Sequence, residues 1–259
     1  MKLELEYFFA ALRFLTRLPV PAWVGHSSEQ LNHAARYFTL VGIVVGLIGG
    51  GVTWCAAQAL PATLAVLLGM AATLLATGAF HEDGFSDSVD GFGGGWEKLR
   101  ILEIMKDSRV GSFGAIAITM ILLTKFVALK ELLPRLGLDG LVAALVAAHA
   151  LSRLASTSLL CLLDYVREDE LAKSKPLARK LSMAEWSCAA VFGLAPLGVL
   201  LAMDVPPARV LIALALVVAT TFYARRYLLK HLGGYTGDCL GATQQVAEVA
   251  VYLGLCWSI

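Results

Sequence analysis

The sequence predicts an all-α fold: a polytopic membrane bundle of about seven transmembrane helices, with an interfacial helix at the N-terminus. Hydrophobic residues make up 58% of the 259-residue chain and charged residues only 16%, and the mean hydropathy is +0.72. Ordinary soluble domains carry about 25% charged residues. The second observation is a series of long apolar runs separated by short polar segments. We expect residues 1–259 to form one integral membrane domain.

The first twenty residues predict an amphipathic helix that lies at the membrane interface. Their apolar side chains recur at roughly helical spacing before Pro19 and Pro21, which end the pattern. Glu4, Glu6 and two arginines interrupt the apolar run, and no small-residue cleavage site follows. We therefore expect this segment to be retained rather than removed as a signal peptide.

The apolar runs that follow predict seven spans. Residues 37–80 contain no charged side chain, which is enough for two spans of about 20 residues each. Pro61 marks the turn between these two spans, so the stretch predicts a helical hairpin. The other five spans are predicted at residues 110–129, 140–163, 186–203, 208–227 and 239–259.

Lysine and arginine are unequally divided between the two sides of the predicted bundle. The N-terminus and residues 81–109, 164–185 and 224–238 together hold 16 of them, whereas the opposite connecting segments hold three. Because basic residues stay preferentially in the cytoplasm, the N-terminus is predicted inside and the C-terminus outside. Residues 164–185 are interpreted as a solvated cytoplasmic loop, and the spacing of its basic residues leaves two further partners open, anionic membrane lipid and a polyanionic substrate; these residues are Lys173, Lys175, Arg179 and Lys180.

The stretch from Phe80 to Gly114 is the one long polar segment in the chain. Three of its carboxylates stand at positions i, i+4 and i+7: Asp83, Asp87 and Asp90. That spacing puts them on one helix face, where a cation is needed to offset their repulsion. Hard oxygen ligands without a Cys or His pair favour Mg²⁺. Several glycines, with Lys106 and Arg109 downstream, indicate phosphate chemistry; the alternative is a solvated acidic loop.

A second polar motif, with Asp238, opens the last span. Asp238 and Gln245 are seven residues apart, which places them on one helix face, and small residues between them leave room for close approach. Asp238 is a candidate member of the same site as Asp83. The alternative is that Asp238 only caps the N-terminus of its helix.

Charged residues inside the spans are costly, so each needs a partner or a function. For Arg153 we expect a contact with substrate or with a carboxylate. Glu248 is expected to be paired, protonated or facing a polar cavity. His149 is interpreted as a satisfied core histidine, and Lys125 is expected to extend toward the outer interface.

Three separated motifs carry a resemblance to a known family. HEDGFSDSVDG at residues 81–91, ILEIMKDSRVGSFG at 101–114 and LGGYTGDCLGA at 232–242 strongly resemble the cobalamin synthases, the adenosylcobinamide-GDP ribazoletransferases. The resemblance covers nearly the whole chain, including FFAALRFLTRLPVP at residues 8–21. The combination of three motifs is far more specific than any one of them.

The resemblance implies an enzyme of the bacterial cytoplasmic membrane whose active site, about residues 81–109, faces the cytoplasm. Such enzymes join adenosylcobinamide-GDP to α-ribazole or its 5′-phosphate and release GMP, with Mg²⁺ required, in the late nucleotide-loop step of cobalamin biosynthesis. The catalytic residues implied are Asp83, Asp87, Asp90, Asp107 and Asp238. All of these except Asp107 are also implied as metal ligands, and Lys106 and Arg109 as substrate contacts beside Arg153.

Two other classes of function remain open on the residues alone. A cation transporter or channel would use intramembrane charges and cytoplasmic aspartates as an ion path. A non-catalytic membrane subunit would instead anchor soluble partners. Homo-oligomers and cobamide-assembly enzymes are left open as partners, whereas the net charge of +1 and the lack of a basic, aromatic-rich patch argue against nucleic acid.

Overall fold

The computed structural model describes residues 2–166 and 181–258 of the chain, and this part is built from α-helices joined by short turns. The helices are α1 (Lys2–Leu15), α2 (Ser28–Ala34), α3 (Phe38–Ala56), α4 (Ala62–Thr77), α5 (Phe80–Gly94), α6 (Lys98–Ile104), α7 (Ser112–Leu162), α8 (Met183–Ala202), α9 (Pro207–His231) and α10 (Gly237–Leu255). The predicted all-α class is confirmed. The basic residues between 164 and 185, for which contacts with lipid or a polyanionic substrate are left open, all lie outside the described residues.

Four helical segments are long and apolar enough to cross a membrane: residues 28–56, α7, α8 and α9. A fifth is added if α4 and α5, which are bent by 85° relative to each other, form one broken span. The predicted count of seven is therefore not established by length and composition within the described ranges. One reason is that α4 has only 16 residues, fewer than a full span needs.

The 51-residue helix α7 is a hairpin rather than a rod. A straight helix of this length would extend about 76 Å, more than twice the thickness of the hydrocarbon core. Gly137 interrupts it with φ 69° and ψ −179°, a conformation that favours glycine. Lys125 and His149 stand twelve residues before and after Gly137, and both contact Glu248. The two halves thus lie side by side and correspond to the third and fourth predicted spans.

The N-terminal helical hairpin is present as predicted, but α4 has 16 residues and is shorter than the predicted span of about 20. Pro61 is the N-cap residue of α4, as the predicted turn between α3 and α4 requires. Methyl groups in place of the Gly42 and Gly46 hydrogens would lie within 3 Å of the backbone of His149 and Val146. These two glycines therefore let α3 pack closely against the second half of α7.

The predicted N-terminal helix is α1, which packs against the bundle through Ala10, Ala11, Leu12 and Leu15. Polar contacts fasten the following segment to the start of α8. Arg36 Nη2 donates to Glu185 Oε1 over 2.8 Å, and its Nη1 lies 3.5 Å from Glu4 Oε1. Tyr37 donates to the other Glu4 oxygen over 2.7 Å. The N-terminal segment is thus tied both to itself and to α8.

Candidate active site

The polar segment predicted to carry the site contains helix α5, which leaves α4 through a sharp turn. Gly78 and Ala79 both have positive φ, 66° and 56°, and this left-handed turn produces the 85° bend. Along α5, Asp83 is exposed and Asp87 half-buried, while Asp90 is only 8% exposed. The helical spacing of the three acids is therefore as predicted, but their environments differ.

Asp90 is engaged by the backbone at the start of α7. Its Oδ2 accepts from Gly111 N over 2.8 Å, and its Oδ1 accepts from Gly114 N over 2.9 Å. The carboxylate thus satisfies two amides at a helix N-terminus, where the helix dipole also favours negative charge. Both oxygens of Asp90 thus anchor α7 to α5, and the expectation that Asp90 is also a metal ligand and catalytic acid stays a prediction.

Helices α5 and α10 cross at two glycines. A methyl group on Gly84 would lie 3.0 Å from both the Cα and the carbonyl oxygen of Asp238. A methyl group on Gly241 would lie 3.0 Å from the His81 carbonyl oxygen. Because Asp83 precedes Gly84 directly, the crossing brings the acidic helix and the Asp238 motif together at one place in the bundle.

The cap of α10 is Thr236, not Asp238. Thr236 Oγ1 accepts a hydrogen bond from Cys239 N over 3.3 Å and occupies the N-cap position. The loop before it is fixed by pairing with the end of α7, where Tyr235 N donates to Asp164 O and Val166 N donates to Tyr235 O. Asp238 stands in the first turn of α10 but is not its N-cap residue. The alternative that Asp238 serves only as a helix cap is therefore wrong.

Lys106, Asp107 and Arg109 lie in the turn between α6 and α7. Arg109 Nε donates to Asp107 Oδ1 over 2.9 Å, and Arg109 N donates to the same oxygen over 3.0 Å. These hydrogen bonds lower the pKa of Asp107 to about 2. A carboxylate with so low a pKa is a weak base near neutral pH. Asp107 is better suited to orienting the Arg109 guanidinium than to taking a proton.

Inside the bundle, charged and amide side chains of α5, α7 and α10 meet in what we call the buried network: Glu82, Lys125, His149, Arg153, Gln245 and Glu248. Lys125, which is 5% exposed, places Nζ 3.1 Å from Glu248 Oε2 and 2.6 Å from Gln245 Oε1. The expectation that Lys125 extends toward the outer interface is wrong, because the folding of α7 on itself turns this side chain toward Glu248. Glu248 was expected to be paired, protonated or facing a polar cavity, and the structure shows it paired with Lys125.

Arg153 belongs to the same network and is 1% exposed. Its Nη1 donates to the His149 carbonyl oxygen over 3.0 Å and lies 3.3 Å from His149 Nδ1. The structure thus places it in the interior, where its described contacts are with its own helix rather than with α5 aspartates. The sequence indicated such a network, because charged side chains inside a membrane bundle need partners of opposite charge. It did not show which of Lys125, Arg153, Glu82 and Glu248 pair with one another.

The donor set at the crossing fits a hard divalent cation. Asp83, Asp87 and Asp238 offer only carboxylate oxygens, and Mg²⁺ is usually held by one or two carboxylates together with substrate phosphates. Within residues 2–166 and 181–258, no group of three or more His, Cys, Asp or Glu side chains is already arranged around a metal position. The residues therefore suit a metal that arrives with a phosphate-bearing substrate better than a permanent protein cage.

Comparison with known proteins gives a consistent result. The profile of the cobalamin-5-phosphate synthase family matches residues 7–256. Adenosylcobinamide-GDP ribazoletransferase of Leptothrix cholodnii is 47% identical, covering 97% of this chain and 95% of its own. The proteins of that name from Shewanella frigidimarina and Vibrio cholerae are 45% and 44% identical, covering 96% and 98% of this chain and 94% of their own. No solved structure matches, and these names give the transporter hypothesis no support.

Proposed function

Because the chain belongs to the cobalamin-5-phosphate synthase family, we propose that it is an adenosylcobinamide-GDP ribazoletransferase of late cobalamin biosynthesis. Its substrates are adenosylcobinamide-GDP and α-ribazole or α-ribazole 5′-phosphate. A ribose hydroxyl attacks the phosphorus that carries the adenosylcobinamide group. The P–O bond to GMP breaks, its electron pair leaves with GMP, and the hydroxyl proton passes to a base.

The observation that carries this proposal is the crossing of α5 and α10. It brings together Asp83 and Asp238, which belong to motifs 155 positions apart in the sequence. Phosphoryl transfer depends mainly on positioning and electrostatic stabilisation, and a site built from two helices fixes a pyrophosphate better than one helix does. A carboxylate at this crossing would accept the hydroxyl proton.

The remaining motif residues have supporting roles. Lys106 and Arg109, both exposed, offset the negative charge that develops on the phosphate oxygens. Asp107 keeps the Arg109 guanidinium oriented through its hydrogen bonds. Asp83, Asp87 and Asp238 would hold Mg²⁺, which when bound neutralises the pyrophosphate. We further propose that this face of the bundle lies on the cytoplasmic side of the bacterial inner membrane, as the distribution of basic residues favours.

The test is GMP release and cobamide formation by the purified protein in detergent, a condition in which a transporter has no sealed compartment. We expect Asp87→Asn to lower kcat by about 100-fold or more. The matched control is Asp139→Asn, the same chemical change near the Gly137 turn, where Asp139 accepts a hydrogen bond from Trp54. Asp139→Asn should leave kcat unchanged.

Two results would contradict the proposal. If the wild-type protein consumes no adenosylcobinamide-GDP in detergent although it remains folded, the ribazoletransferase assignment fails. If instead Asp87→Asn turns over normally at limiting Mg²⁺, the reaction stands but Asp87 does not belong to its metal site.

A further inference from the structure

The buried network joins α5 and α10, which carry the proposed site, to α7, yet none of its members has a step in the reaction described above. Its charges are balanced: Lys125 and Arg153 are positive, Glu82 and Glu248 negative. All four are enclosed by the bundle, and burial of such groups is costly unless each is paired. A network of this kind favours one arrangement of the helices that contribute to it.

Gln245 is the residue through which the three helices meet. Its Nε2 donates to Glu82 Oε1 on α5 over 2.8 Å, and its Oε1 accepts from Lys125 Nζ on α7 over 2.6 Å. The same Nε2 donates to Gln244 Oε1 over 2.7 Å, while Gln244 Nε2 donates to Glu248 Oε2 over 3.0 Å. Both the nitrogen and the oxygen of the Gln245 side-chain amide are therefore hydrogen-bonded. A rotation of α10 would break its contacts with both α5 and α7.

The glycine crossing alone does not set this register. Gly84 and Gly241 allow α5 and α10 to approach closely, but a contact between small residues resists sliding and rotation only weakly. The hydrogen bond between Glu82 and Gln245 is directional, and it joins the neighbour of Asp83 to a residue on the Asp238 face of α10. The network thus supplies the geometric constraint that the crossing lacks.

We propose that Glu82 and Gln245, held by Lys125, are positioning residues that fix the rotation of α5 against α10 and so the separation of Asp83 from Asp238. This inference rests on the proposed function for its catalytic consequence. Misplacement of reacting groups by about 1 Å can lower the rate about 100-fold. Small changes in the network should therefore lower the reaction rate although its residues do not contact the substrate.

The first test exchanges the amide and the carboxylate. Gln245→Glu sets a second carboxylate against Glu82 and should lower kcat by about 10- to 100-fold with little change in the KM of either substrate. Glu82→Gln leaves one buried positive charge uncompensated and should also lower kcat. The double variant restores the charge balance, with the carboxylate beside Lys125, and should recover most of the lost kcat. Glu131→Gln, on an exposed part of α7, is the matched control for removal of a carboxylate.

The second test reads the helix register without catalysis. Ser88 on α5 and Cys239 on α10 line the same cavity between the two helices, so Ser88→Cys should form a disulfide with Cys239 when the membranes are treated with copper phenanthroline. The yield of the linked product should fall in the Gln245→Glu background. It should return in the background of the double variant.

The outcomes separate the two proposals. Loss of kcat and of disulfide yield in the single variants, with rescue of both in the double variant, supports the positioning role. Single variants that fold and keep full kcat and disulfide yield overturn it, as does a double variant no better than the single ones. Should the wild-type protein lack ribazoletransferase activity, the proposed function fails, and the disulfide yields still decide whether Glu82 and Gln245 set the register.

Discussion

At the scale of single residues, the aspartates that look equivalent in the sequence have different tasks in the structure. On α5, Asp83 is exposed and Asp87 is half-buried, whereas Asp90 is buried against the amides of Gly111 and Gly114. Helical spacing predicted the shared face, because that depends only on local geometry. The partners of Asp90 stand 21 and 24 positions further along the chain, and their approach depends on how α7 begins.

Asp238 provides the sharpest residue-level prediction. With Thr236 as the cap, Asp238→Asn should lower kcat by about 100-fold or more while the unfolding temperature in detergent stays unchanged. Thr236→Ala should show the reverse pattern, since loss of an N-cap costs about 1 kcal/mol without removing a reacting group. Both variants are measured by GMP release and thermal unfolding. Near-normal turnover by Asp238→Asn would leave this aspartate with a structural role only.

At the scale of helices, α5 and α7 depend on each other. The start of α7, at Ser112, lies within two residues of the Val110 boundary predicted from hydropathy. What hydropathy did not show is that an acid from the preceding motif holds this start in place. The polar segment is consequently not a loop between spans: it contains α5 and α6, and its last turn is fastened back onto α5 through Asp90.

Asp90→Ala tests this anchoring. Hydrogen bonds to a charged group are each worth roughly 1.5–3 kcal/mol, so the variant should unfold at a clearly lower temperature in detergent. The Mg²⁺ concentration for half-maximal activity of the remaining folded enzyme should not change. Asp83→Asn is the comparison, and it should raise the Mg²⁺ requirement without lowering stability. A raised Mg²⁺ requirement in Asp90→Ala with unchanged stability would show that Asp90 is a metal ligand rather than an anchor of α7.

At the scale of the whole molecule, composition and apolar runs were sufficient for the all-α membrane class and the N-terminal hairpin. The turn at Pro61 and the division of α7 near Gly137 both follow from patterns visible in the sequence. The buried network could not be predicted in the same way. Lys125 and Glu248 are 123 positions apart, and their pairing exists only because α10 packs against the folded-back α7.

The membrane topology remains a prediction that fusions can test. A reporter inserted after residue 135, beside the Gly137 turn, should lie outside the cytoplasm, because few basic residues flank that turn. A reporter near residue 170, which lies outside the described residues, should be inside. Activity of alkaline phosphatase and of a fluorescent protein at each site distinguishes the two locations. Both reporters on one side would rule out the proposed arrangement of spans.

The two attachments of α5 to α7 have a consequence for motion. Glu82 Oε1 lies 3.8 Å from Lys125 Nζ, and Asp90 accepts hydrogen bonds from the amides of Gly111 and Gly114. Helix α5 is therefore attached to α7 at two points about 12 Å apart along its axis. Asp83 and Asp87 lie between these two attachment points and cannot move independently of α7. Any closure around the substrates must then come from α6 and the turn that carries Lys106 and Arg109. Amide hydrogen exchange should therefore be slow along α5 and faster in α6 and in that turn.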